Sequence, residues 1–110
     1  MPRTIVRQTR RFDNRLGKLA RKYPQVLDEL DNLIEELEQG NRPGTRYRRV
    51  GDVVYRVRLV NRSARTGKRG GFRIAYHVGG EHTITLMAIC ARSECRDLDE
   101  TRIRRFLSEL

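Results

Sequence analysis

Two changes of hydrophobic period constrain the fold of this chain more than any single motif. From about Arg10 the apolar residues Phe12, Leu16, Leu19, Ala20 and Tyr23 recur at the spacing of one helix face. Pro24 interrupts the pattern, and Val26, Leu27, Leu30, Leu33, Ile34 and Leu37 resume it. Asp28, Glu29 and Asp31 crowd the early turns of this second stripe, where the helix dipole favours acids. Gly40 is a natural stop, followed by the turn Asn41-Arg42-Pro43-Gly44. The pattern predicts two helices joined at Pro24 as an antiparallel hairpin.

After residue 44 the period becomes two. Strands are expected over Thr45–Val50, Val53–Val60, Phe72–Val78 and His82–Cys90, with a short one at Thr4–Val6. In the second of these, Val53, Tyr55, Val57 and Leu59 face one way, while Arg56 and Arg58 share the other face with Val54 and Val60. In the third, Phe72, Ile74, Tyr76 and Val78 face the core, and Arg73, Ala75 and His77 face outward. His82–Cys90 is apolar on both faces, as suits a strand covered on both sides. Gly79-Gly80 reads as a hairpin turn. The helical period then returns. Asp97-x-x-Glu100 reads as a capping box opening a last helix, with Ile103, Phe106, Leu107 and Leu110 on one side. The expected order is β-α-α-β-β-β-β-α. It describes one α+β domain over residues 1–110, with a helical hairpin on a curved, mainly antiparallel sheet and a C-terminal helix.

Charge narrows the function classes. The net charge of +10 is uneven: residues 1–24 carry +7, residues 25–40 carry −6, residues 41–80 carry +10 and residues 81–110 carry −1. A solubilising surface intersperses its signs. Concentrated charge is the footprint of a surface that binds phosphates. No apolar run approaches the roughly 20 residues of a membrane span, and the N-terminus lacks a signal-peptide core. A cytoplasmic location without membrane association is expected. Cys90 and Cys95 form neither a disulfide framework nor a zinc pattern, and are read as free thiols.

Alternation puts Arg56 and Arg58 on one face of their strand, and Arg73 and His77 on one face of the next. If the two strands pair, these groups share a wall, and the like charges repel unless an anion lies between them. The connection between them, 61–71, holds Arg65, Lys68 and Arg69 among glycines that allow close backbone approach to a phosphate. Charge of this kind suits a nucleic-acid backbone and does not by itself separate an enzyme from a binding protein. His77 and His82 point to opposite faces of one strand and cannot chelate together, so no metal or cofactor is expected.

The run Gly67-Lys68-Arg69-Gly70-Gly71-Phe72-Arg73-Ile74-Ala75-Tyr76 resembles the Gly-Lys-x-Gly-Gly-x-Arg-apolar-x-Tyr signature of the RelE/HigB-like branch of the RelE/ParE toxin superfamily. Val54–Leu59 resembles that family's strand with two bases at i and i+2, and Met87–Glu94 its apolar strand ending in a basic-x-Glu turn. The resemblance implies a RelE-like, microbial RNase-like fold and the toxin half of a type II toxin–antitoxin pair. It implies a cognate antitoxin as partner, with the ribosome and mRNA as targets. The implied reaction is metal-free cleavage of mRNA in the ribosomal A site, by attack of a 2′-OH on its own phosphate. Carried over by position, Arg73 is the transition-state arginine, Arg56 and Arg58 are the paired bases, and Arg92 lies near the acid-catalysis site. Arg46, Arg48, Arg65, Lys68, Arg69 and His77 are expected to contact RNA or ribosome. Arginine is a poor general base, so Lys68, His77 and Asp99 are the candidates for that role. The same fold also serves ParE-like toxins, which bind DNA gyrase and cut nothing, and a catalytically inactive RNA- or antitoxin-binding form.

Overall fold

A computed structural model describes residues 4–60, 71–80 and 82–110. Strand β1 (Ile5–Gln8) leads into helix α1 (Arg10–Lys22), which starts where Thr9 accepts the Phe12 amide on its hydroxyl. Helix α2 (Val26–Glu38) follows within three residues. It ends in a Schellman closure: Gly40, at φ +96°, donates its amide to Leu37, and Asn41 donates to Glu36. The helical hairpin is therefore as the apolar stripes predict.

The rest of the chain builds the sheet from β2 (Thr45–Arg46), β3 (Val54–Val60), β4 (Gly71–Val78) and β5 (Thr83–Ala91). The strand order is β1-β5-β4-β3-β2. Pairs β2–β3, β3–β4 and β4–β5 are antiparallel, whereas β1 runs parallel to β5. A 3-10 segment (Arg92–Leu98) and helix α3 (Glu100–Ser108) complete an α+β architecture.

The sheet is covered on both faces. Phe12, Leu19, Val26, Leu30, Leu33 and Leu37 of the hairpin pack on Val57, Leu59, Phe72, Ile74, Tyr76, Ile84, Leu86 and Ile89. On the other face, Leu98, Ile103 and Phe106 pack on Val54, Ala75, Met87, Ala88 and Cys90. Strand β5 feeds both layers by alternation, and its register shift opposite Ala75 and Tyr76 turns the consecutive Met87 and Ala88 both toward α3.

Several expectations need correction. The strand foreseen over Thr45–Val50 has two residues, because Tyr47 and Val50 turn into the α3 layer. Ala75, expected outward, is fully buried beneath that layer. The last helix is capped by Asp99, whose carboxylate accepts the Arg102 amide at 2.9 Å; the residues before it are taken up by the 3-10 turns. Leu110 lies past the helix end and is exposed. Cys90 and Cys95 are joined as a disulfide, since the 3-10 turn after β5 brings their Cα atoms to 5.4 Å.

Candidate functional site

Cross-strand register decides which basic side chains meet. Arg58 of β3 lies directly opposite Arg73 of β4, and Arg73 directly opposite Cys90 of β5. Arg56 is one rung away on the same face, opposite Ala75. The second glycine of the Gly-Gly pair finds its reason here. A Cβ on Gly71 would stand 2.6 Å from the Leu59 carbonyl and 3.7 Å from both Arg58 Nε and Arg73 Nη1. Two guanidinium groups thus flank the space that glycine leaves open.

Arg56, Arg73 and Arg92 line one pocket of about 320 Å³ with Cys95, Leu98 and Asp99. Arg73 Nη1 is buried and has no hydrogen-bond partner among the described residues. Burial, then the charges of Arg58, Arg92 and Arg56, hold this guanidinium below the ordinary arginine value. Such a group is costly without an acceptor and gains most from an anion. The pocket shares Arg56, Leu98 and Asp99 with a neighbouring trough of about 340 Å³ that also holds Arg46, Tyr47 and Arg48.

Tyr47 went unnoticed in the sequence, yet it organises this wall. Its hydroxyl donates to the Leu98 carbonyl at 2.6 Å, and its ring lies 5.7 Å beneath the Arg56 guanidinium. Burial pushes its pKa up to about 12. An aromatic set between bases in Arg46-Tyr47-Arg48-Arg49 was the available signal. The tyrosine of the signature run, Tyr76, is structural. It is fully buried, donates to the Pro43 carbonyl at 2.6 Å and stacks on Tyr55.

The expected site residues are therefore only partly assembled. Arg56, Arg58, Arg73 and Arg92 come together, with Arg46 and Arg48 alongside. His77 shares their face but sits opposite Val54, two rungs from Arg73, and its Nε2 meets Asp52 Oδ2 at 3.1 Å. The Val53 amide, together with His77, holds the Asp52 carboxyl below its usual range. His82 lies outside β5 at φ +61°. Arg65, Lys68 and Arg69 lie outside the described residues. Of the base candidates, Asp99 lines the pocket. A third cleft, of about 540 Å³, opens between α1 and α3, where Arg10, Arg11, Arg15, Lys18 and Arg102 surround a floor that includes Cys90 and Phe106.

Among the described residues, no group of three or more His, Cys, Asp or Glu is arranged to hold a metal ion, and no helix is long and apolar enough to cross a membrane. No curated protein sequence matches the chain. The family model of the ParE toxin of the type II toxin–antitoxin system, parDE, matches residues 6–96, from β1 into the 3-10 segment. The chain belongs to this family of type II toxins, and that membership implies a cognate antitoxin protein as its partner.

Proposed function

We propose that this toxin is a ribosome-dependent mRNA endoribonuclease acting in the cytoplasm, and that its arginine pocket holds the scissile phosphate. The observation that carries the reading is Arg73, a pocket-lining guanidinium with one nitrogen buried and, among the described residues, unpartnered beside further arginines. In such a reaction the 2′-oxygen attacks its own phosphorus and the 5′-oxygen leaves, giving a 2′,3′-cyclic phosphate. Arg73 and Arg56 stabilise the charge on the pentacoordinate phosphorus, with Arg58 adding field from its place opposite Arg73. Arg92 stands toward the leaving oxygen, and Asp99 accepts the 2′-OH proton. Arg46 and Arg48 hold the flanking backbone. No step needs a metal.

The family description names a ParE toxin, and the resemblance to ParE-like toxins implies a second reading, binding of DNA gyrase without cleavage. In-vitro translation with mapping of mRNA ends, run beside a gyrase supercoiling assay, separates the two. The first reading expects cuts within codons only when ribosomes are present, with supercoiling intact. Uncut mRNA with blocked supercoiling overturns it.

A further inference from the structure

The disulfide stands between two basic cavities. Cys95 lines the arginine pocket, and Cys90, only 3 % exposed, lines the cleft between α1 and α3. Leu98 borders both. The link spans five positions, so it constrains the 3-10 segment rather than the whole fold. That segment leads directly to Leu98, whose carbonyl holds Tyr47, and to Asp99 in the pocket wall. The ion pair between Glu94 and Arg15 also crosses from the segment to α1, but at 3.2 Å and with both side chains 40 % exposed or more it is a weak tie. Of these two ties, the covalent one is the firmer.

We propose that Cys90–Cys95 is a thiol–disulfide exchange site that controls the shape of the arginine pocket, with a dithiol reductant as its reaction partner. The inference rests on the proposed function for the phosphate pocket it affects and for the reducing compartment it acts in, but the exchange chemistry needs neither. In reducing compartments, disulfides are usually redox-sensing or catalytic rather than structural. Cys95 is the accessible sulfur, because Cys90 is enclosed by the sheet and α3. A thiolate of the reductant bonds to Cys95 Sγ while the Sγ–Sγ bond breaks, and Cys90 leaves with the electron pair as a thiolate. The reductant's second thiolate then bonds to its own first sulfur, and Cys95 leaves. The two protons of the dithiol end on the two cysteines, and the reductant becomes a disulfide. Cys90 leaves next to its cross-strand partner Arg73, and a neighbouring guanidinium favours a departing thiolate. The oxidised form of the same reagent class restores the link. Oxidised chain keeps Leu98 and Asp99 against the pocket, and reduced chain releases them.

Two measurements on the full chain test this, before and after treatment with dithiothreitol. Amide hydrogen exchange across 92–98 should quicken at least about tenfold on reduction while β3 and β4 are unchanged, in line with the entropy released by opening a short ring. Binding of a labelled single-stranded oligoribonucleotide should weaken at least about fivefold for the same reason. Cys95→Ser should show the fast exchange in both conditions. Equal exchange across 92–98 in both states, or an unmodified free thiol pair in chain purified under oxidising conditions, overturns the proposal. If the oligonucleotide binds neither form, the phosphate reading fails, and the exchange measurement alone decides the redox site.

Discussion

Replacing Arg73 by methionine should stabilise the fold while destroying the site. Methionine keeps an unbranched stem in the half-buried position and removes the guanidinium. One Arg73 nitrogen is buried without an acceptor among the described residues, and such a group costs about 1–3 kcal/mol. Arg73 Nη1 and Arg58 Nε each lie 3.7 Å from the same point over Gly71, so they are at most twice that apart. Two unit charges at that limit repel by about 0.6 kcal/mol in water and about 2 kcal/mol at an effective dielectric of about 20. Even with part of this offset by looser packing, Arg73→Met should gain about 1–2 kcal/mol. For a chain of this size that raises Tm by about 4–8 °C. The same substitution removes one charge-assisted hydrogen bond to a bound phosphate, about 1.5–3 kcal/mol, or roughly a 10- to 150-fold loss in oligoribonucleotide affinity. The assay pairs urea and thermal unfolding with fluorescence anisotropy, with and without added inorganic phosphate. Phosphate should stabilise the wild type and leave the variant unmoved. A variant destabilised by more than about 1 kcal/mol, or one that phosphate still stabilises equally, would show that Arg73 is a structural arginine.

Other outcomes follow from the same geometry. Tyr47→Phe loses the hydrogen bond to Leu98 and should cost about 1 kcal/mol. Because burial raises the Tyr47 pKa to about 12, its contribution is complete below the ordinary value near 10 and is lost as pH rises through 12; alkaline absorbance titration of Tyr47→Phe should lack that late step. Ile103→Ala opens a cavity in the fully buried layer under α3 and should cost about 2–5 kcal/mol by urea unfolding, with α3 amides losing protection before those of β4. Gly44→Ala places a Cβ on the Arg56 carbonyl at a backbone φ of +101°, and should destabilise by at least about 1 kcal/mol in the same assay.

Periodicity made the layers legible. The stripes through Phe12 and Leu30 predict the hairpin, and alternation through Arg56, Arg58 and Arg73 predicts a shared basic face, because each pattern depends only on local backbone geometry. What stayed hidden depends on pairing between distant segments. Tyr47 acts through Leu98, and nothing local to either residue announces the contact. His77 alternates correctly with Arg73, yet its partner is Asp52, just ahead of the neighbouring strand β3. Ala75 reads as outward until α3 is seen to cover it. The disulfide likewise needs the 3-10 turn after β5, which no period of the sequence announces. The signature tyrosine and second glycine were visible as motif, but their reasons, the Pro43 carbonyl and the crowded space over Gly71, belong to the folded chain.

The parallel pairing of β1 with β5 also has a consequence during synthesis. Ile5 cannot find Thr83, nor Thr9 donate its amide to Leu86, until the chain has been made through β5. The helical hairpin forms from local contacts and is ready early. The sheet it must cover is complete only when β5 has joined, and the pocket's last wall arrives later still with Leu98 and Asp99. A nascent chain therefore lacks both the closed sheet and the complete pocket until β5 and the 3-10 segment have been made. The sheet closes first, when β5 pairs with β1, and the pocket follows with the residues behind it.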